Sequence, residues 1–322
     1  MPADHLITVP PYQLSDSVLA VLAGADLEVT AAENGMDPAG LQEALRVYQT
    51  AGLAALERRA DQEWYQLRVQ FPDWSTAEAS GATQLGPRLD QLQGSGAAAG
   101  WWFLRKHPCW RLRLRGADTA AVNRVLGELT AAGVLTRWWP TVYEPETAAF
   151  GGPVGMRIVH DLFCADSRGV LDYVRRHSPG LGRRELSLVL VGALLRAAGL
   201  DWFECGDVFD RVARLRPAPS GTDAGRVTDL ADDVRTLLVV PVQPNRGLFA
   251  PDGPISFAAP WLAAHQAAGR QFGQAAAEGS LERGVRAVLT HVLIFHWNRF
   301  GLSATTQGIL ARAASAAILP RS

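Results

Sequence analysis

At 322 residues, with 48% hydrophobic and 20% charged side chains, the chain is long enough to bury a sizeable core in one large or two smaller domains. A formal charge of −1 excludes a global electrostatic draw toward nucleic acid or anionic lipid. Three widely separated cysteines, Cys109, Cys164 and Cys205, are odd in number, which argues against a disulfide scaffold and paired CxxC metal sites.

The chain begins without a basic stretch leading into a long apolar run, and no apolar segment reaches membrane-spanning length, so a cytoplasmic protein with no membrane partner is expected. Residues 15–22, 28–34 and 38–51 read as short helices, the third with Asp37 as N-cap and Gly52 as a stop. They form a small helical N-terminal subdomain over residues 1–60. Three helices invite a helix-turn-helix reading, but residues 1–56 hold one arginine, Arg46, against several acids. Phosphate attraction is missing, and no nucleic-acid partner is expected.

Residues 61–322 are predicted to form an α+β domain with a mixed or antiparallel sheet and packed helices. Residues 63–71 alternate as a strand; after a polar, Gly-rich connection, 101–105 and 110–115 read as two more, with His107-Pro108 at their turn. Residues 117–132 are a helix with Val122, Val125, Leu126 and Leu129 on one side, and 134–143 a further strand, which suits helices on one face of the sheet. The C-terminal half is helix-rich: 156–164, 168–176, 183–198, 202–215, 226–238, 261–277, 281–300 and 303–317 are predicted helices. Prolines and glycines make 241–260 the clearest irregular connection.

Strand alternation sets Arg111, Arg113 and Arg115 on one face and Leu112 and Leu114 on the other. Three guanidiniums in a row suit a groove that grips peptide carbonyls or an acidic segment; a solvated face with salt bridges produces the same pattern. Glu146 sits in an irregular stretch, between Pro145 and the Gly151-Gly152 pair, as an acid, a base or a partner for arginine. Asp166-Ser167 is either a ligand-contacting loop or the start of the next helix. His296 and Arg299, three apart, share a helix face, whereas Asn298 points elsewhere. A lone histidine on an apolar helix is commonly a hydrogen-bonded core residue, yet imidazole is also suited to proton transfer near neutral pH, and Ser303 and Gln307 follow closely. The spacing of His291 from His296 does not suit a two-histidine metal face, and Gly-rich phosphate loops, His-Glu-x-x-His and Gly-x-Ser-x-Gly are lacking, so no metal and no cofactor are expected.

The segment Tyr143-Glu144-Pro145-Glu146-Thr147-Ala148-Ala149-Phe150-Gly151-Gly152, the Trp101-Trp102-Phe103-Leu104-Arg105 and Trp110-to-Gly116 pair, and His296-Trp297-Asn298-Arg299-Phe300-Gly301 together resemble one family over residue 64 to the C-terminus. It is the domain shared by thiopeptide-type bacteriocin biosynthesis proteins and the C-terminal elimination half of lantibiotic dehydratases. The resemblance implies a modified, ribosomally made precursor peptide with its leader as substrate, and glutamylation and elimination enzymes of the same pathway as further partners. The oligomeric state stays open, a homodimer included. In the branch that expels glutamate from glutamylated Ser or Thr, an arginine typically precedes the aromatic-Gly-Gly, and a histidine stands four residues ahead of Asn-Arg. Here those places hold Ala149 and Ile294.

The departure is similar to what distinguishes the pyridine synthases of thiopeptide biosynthesis, which join two dehydroalanines of one peptide in a formal [4+2] cycloaddition and expel water and the leader. On that resemblance His296, Glu146 and Ser303 are expected to handle protons. Arg111, Arg113, Arg115, Arg299, Asn298, Gln307, Asp166 and Ser167 are expected to hold peptide, and Trp101, Trp102 and Trp297 to stack on azoles. A stand-alone glutamate-elimination enzyme and a noncatalytic peptide-binding subunit are the alternatives.

Overall fold

The computed structural model describes residues 11–217 and 224–319, with side chains described throughout except at 11, 53–62 and 224–228. The start of the chain, on which the expectation of no basic leader rests, and the last residues of the chain lie outside the described residues. The chain divides into two compact units, Met1–Gln62 and Glu63–Ser322.

The first unit holds α1 (Pro11–Leu22), α2 (Leu27–Glu33) and α3 (Pro38–Gln62). Asp26 caps α2, its side chain accepting from the Glu28 and Val29 amides at 3.0 Å, and the Asp37 carboxylate accepts from Gly40 N at 3.2 Å at the start of α3. Val18, Ala31, Leu41 and Leu45 form its small core. Gly52 does not stop α3: one interior glycine weakens a helix by about 1 kcal/mol relative to alanine but leaves its hydrogen-bond ladder intact.

In the second unit β1 (Trp64–Gln70) leads into a helical stretch of α4 (Ala77–Ser80), a π turn (Gly81–Leu85) and α5 (Gly86–Gly94). The sequence reads only as a Gly-rich connection here. Gly81 instead makes room for a neighbour, since a Cβ would lie 2.4 Å from the Trp110 ring. Then come β2 (Gly100–Lys106), β3 (Cys109–Arg115), α6 (Thr119–Ala131) and β4 (Arg137–Thr141). The four strands pair antiparallel in the order β2-β3-β1-β4, with Leu67 opposite Leu112 and Phe103 opposite Leu112 on the other side.

Helices cover both faces of this sheet, rather than the one expected. Leu67, Val69, Trp101, Phe103, Trp110, Leu112 and Leu114 share a core with Leu89 of α5 and Val122, Leu126 and Leu129 of α6. The opposite face, carrying Trp64, Trp102 and the arginines of β3, meets α7 (Gly152–Val174) through Val159, Leu162 and Phe163. Six further helices complete the unit: α8 (Arg183–Ala197), α9 (Trp202–Leu215), α10 (Ala224–Val239), α11 (Ala259–Ala277), α12 (Val285–Arg299) and α13 (Ala304–Ile318). The segment between α10 and α11 holds only two short 3-10 turns. Among the described residues no helix is long and apolar enough to cross a membrane.

One boundary differs in a way that builds the site. The predicted break at Asp166-Ser167 does not exist, because α7 runs through both residues with their buried side chains bonded to α11, α12 and β2 rather than capping a helix start.

Candidate functional site

Asp166 is 1% exposed and sits among donors from two other helices. Its Oδ1 lies 2.7 Å from His296 Nδ1 and accepts from Trp261 Nε1 at 2.8 Å, while Arg299 Nη1 pairs with Oδ2. A carboxylate only accepts, so the hydrogen of this contact resides on His296 Nδ1. His296 Nε2 lies 3.1 Å from Ser187 Oγ, which also accepts from Trp297 Nε1 at 2.6 Å. Burial by itself raises a carboxyl's affinity for protons, but His296 and Arg299 beside it hold Asp166 well below the usual carboxylate range.

This network also closes the edge of the sheet. β2 is an outer strand, and an outer strand carries backbone groups with no ladder partner. The Phe103 amide donates to Ser167 Oγ at 3.1 Å, and its carbonyl accepts from Arg299 Nε at 3.0 Å.

A second group lies on the α7 side of the sheet. Arg113, 5% exposed, donates from Nε to Gln66 Oε1 at 2.7 Å, and its guanidinium lies 4.0 Å from the centre of the Trp102 ring and 4.7 Å from that of Tyr143. Burial pushes Arg113 down to about 10, which leaves it cationic at neutral pH. The Tyr143 hydroxyl and His160 Nε2 are hydrogen-bonded at 2.7 Å. Burial, then the nearby Arg113 and Arg115, push His160 down to about 3, so its imidazole is neutral.

The two groups adjoin, because the Arg299 guanidinium lies 5.6 Å from the Trp102 ring. Where they meet, Trp102 Nε1, Arg113 Nη1 and Arg299 Nη2 are buried donors without an acceptor among the described residues. Buried polar groups are nearly always satisfied, so three unmatched donors on neighbouring side chains call for oxygen acceptors, from ordered water or from a ligand's carbonyl or carboxylate.

The expected site residues are thus distributed unevenly. His296, Asp166, Arg299, Ser167 and Trp297 come together, and Trp102 and Arg113 adjoin them. Trp101, Trp102 and Trp297 offer no open face for stacking, since all three are fully buried in core packing. The arginines of β3 do not line an open groove either: α7 covers their face, Arg113 is buried, Arg111 is half-buried, and Arg115 pairs with Asp161 at 3.0 Å. Asp166 and Ser167 form no exposed loop.

Ser303 is the exposed N-cap of α13, accepting from Thr306 N at 3.1 Å, so the end of α12 separates it from the His296 network. Gln307 is buried and donates to Asn298 Oδ1 at 2.9 Å, holding the half-buried Asn298 at the edge of a cleft of about 240 Å³ shared with Trp74, Glu78 and Arg105. Glu146 is exposed on the loop after β4, where its charge acts on Arg113. That loop turns through Gly151 (φ 82°) and Gly152 (φ 89°), and a Cβ at Gly152 would lie 2.5 Å from the Glu282 side chain.

His160, Ser187, Trp261, His265 and Gln66 are not singled out by the sequence. Ser187 has a faint signal there, a hydroxyl within the apolar run of α8; the others have none. Asp166, His265 and His296 lie close enough to hold a cation on spacing alone. Arg299 already supplies the positive charge there, and both carboxylate oxygens are engaged, so the donor set does not fit a metal.

Residues 64–318 match the family described as lantibiotic biosynthesis dehydratase C-term, and the chain belongs to it. Among solved structures, the chain is similar to the tRNA-dependent lantibiotic dehydratase MibB from Microbispora sp. 107891, at 20% identity and a TM-score of 0.60 over 80% of this chain. It spans only 28% of the MibB chain. TsrL is similar at 19% identity and a TM-score of 0.56, over 81% of this chain and 99% of that one. The pyridine synthase TbtD of thiomuracin biosynthesis is similar at 14% identity and a TM-score of 0.54, over 79% of this chain and 97% of that one. No curated protein matches the sequence.

Proposed function

We propose that the protein is a pyridine synthase: it folds a dehydrated precursor peptide so that two dehydroalanines meet, and releases water and the leader as the ring becomes aromatic. The observation that carries this reading is the placement of the two departures from the elimination pattern. Ile294 is buried in apolar core and Ala149 packs half-buried against the same core, so neither place holds a polar group for a departing glutamate. The likeness over nearly the whole of TbtD supports it at the level of fold.

In the proposed step, the iminol tautomer of a backbone amide and its dehydroalanine act as an azadiene. Two carbon–carbon bonds form to the second alkene. Loss of water and of the leader amide supplies the two further double bonds, so no oxidant is required. Holding both alkenes in register can contribute on the order of 7–11 kcal/mol in favourable cases. The unmatched donors of Trp102, Arg113 and Arg299 fit the carbonyl that must tautomerise and the charge it develops. The Tyr143–His160 pair, whose Tyr143 ring lies against Arg113, and the exposed Glu146, whose charge acts on Arg113, are the groups that handle protons, with His296 and Asp166 positioning Arg299.

A mass measurement tests this. Purified enzyme is offered a leader-bearing peptide with two dehydroalanines and, separately, a glutamylated peptide. Loss of leader plus water from the first is expected. Loss of glutamate from the second with the first left linear establishes elimination instead, and binding without a mass change establishes the adaptor.

Arg113→Lys keeps the charge but loses the planar fork. Its kcat/KM is expected to fall by about 10²–10³ with little change in Tm, the size seen when one preorganised donor is removed. Turnover unchanged within twofold or so removes Arg113 from the site.

A further inference from the structure

Outside the buried site, the surface where α9 meets the start of α12 carries more arginines than carboxylates paired with them. Where α9 meets the start of α12, a pocket of about 230 Å³ is lined by Arg211, Arg214, Arg283 and His291, with Leu215 and Ala287 as apolar wall. Arg211 pairs with Asp207 at 2.8 Å, and Arg286 shares that carboxylate at 3.0 Å. Arg214 pairs with Asp210 across one helical turn. Arg283 has no carboxylate partner among the described residues; its contact is the Ala149 carbonyl, at 3.5 Å. Nearby Arg216 bonds Gln307 and a backbone carbonyl, which carry no charge. Three arginines therefore share two aspartates, Arg283 and Arg216 pair with none among the described residues, and the further acid at the neighbouring turn, Glu282, lies against Gly152.

His291 adds no counter-charge. It is half-buried, and burial together with Arg283 and Arg216 pushes its affinity for protons down. Cations in excess of their carboxylate partners repel one another, and an arrangement of this kind is stabilised by an anionic ligand.

The position of the pocket bears on what that ligand is. Arg283 reaches the carbonyl of Ala149, and the Phe150 ring meets His291 edge-on at 6.5 Å, so the pocket flanks the Gly151-Gly152 turn and the loop that carries Glu146. Its volume suits one or two carboxylate side chains and is too small for a duplex. Leu215, 48% exposed, offers an apolar contact between the guanidinium forks. Arginine forks match planar carboxylates, and an apolar wall among them suits a peptide that mixes acids with apolar residues.

We propose that this pocket is an acidic-peptide subsite in which Arg283 and Arg214 bind carboxylates of a segment running past the Ala149–Gly152 turn. Assigning that segment to the precursor peptide rests on the proposed function; the carboxylate binding does not.

The test titrates the full chain with fluorescein-labelled hexaglutamate, hexaglutamine and a short single-stranded oligonucleotide, read by anisotropy. Hexaglutamate is expected to bind, to weaken with added salt, and to exceed both other probes. Arg283→Glu and Arg214→Glu are each expected to weaken it about tenfold, Arg283→Lys much less, and Arg88→Glu on α5 not at all. Both arginines are exposed, so an unchanged melting temperature verifies folding of the variants. No hexaglutamate binding, equal binding of hexaglutamine or the oligonucleotide, or equal loss in Arg88→Glu overturns the subsite. A chain that cyclises its peptide yet ignores hexaglutamate loses only this inference; one that binds hexaglutamate through Arg283 but leaves the bis-alkene linear loses only the synthase reading.

Discussion

Asp166→Ala is expected to lower the unfolding free energy by about 3–5 kcal/mol, the cost of leaving a buried cation without its partner. The variant strands the Arg299 guanidinium, 0% exposed, and removes the acceptor of the His296 and Trp261 donors in the same step. Urea unfolding checks it, and a loss below about 1 kcal/mol shows that the network is not desolvated as described. The contrasting double variant Asp166→Leu/Arg299→Met removes both charges, and it should recover part of the loss because the desolvation cost disappears with them. The sign with pH follows from the direction of the shift. Asp166 holds its proton less tightly when folded than its ordinary value of 3.8, so its contribution is complete above that pH and is lost as pH falls further.

A larger acid sensitivity sets in earlier, through two histidines. His160 is pushed down to about 3, by burial and then by Arg113 and Arg115, and His265 to about 4, by burial opposed by Asp166 and reinforced by His296. Both ordinarily titrate at 6.5, so below that pH the unfolded chain takes up protons that the folded one refuses. Folding is therefore favoured above about pH 6.5 and weakens as pH falls, each histidine contributing up to about 1.4 kcal/mol per pH unit, or about 2 kcal/mol each by about pH 5.

Unfolding free energies measured from neutral pH down toward about pH 5 check this window, where Asp166 does not yet titrate. His160→Gln retains a polar partner for the Tyr143 hydroxyl and should remove about half of the slope. Stability that stays flat across the window contradicts the neutral, buried state of both rings.

Much of the second unit was legible in local pattern. The alternation through Leu67 and Val69, and through Leu112 and Leu114, located β1 and β3, and the Asp201–Glu204 capping box marks the start of α9 where the sequence placed it. Failures arose where a residue's local meaning yielded to a distant partner. Gly81 and Gly86 read as connection, but in the structure they let a π turn and α5 pack against Trp110 and Leu171. Asp166-Ser167 read as a loop or a cap because those side chains cap helices when nothing else claims them; here Phe103, Trp261, His296 and Arg299 do.

The α+β class, the strands, the helix-rich C-terminal half and the interest of His296, Arg299 and Arg113 are all readable from the residues in order, because hydrophobic period and residue chemistry are properties of neighbours along the chain. Long-range packing set the rest: Arg113 faces α7 instead of solvent, Trp101, Trp102 and Trp297 are core, and Asp166 joins His296 across 130 positions of chain. Periodicity assigns a side chain to a face of its own strand or helix, whereas burial and charge pairing depend on which other face arrives against it. That is a nonlocal outcome of packing the whole unit at once.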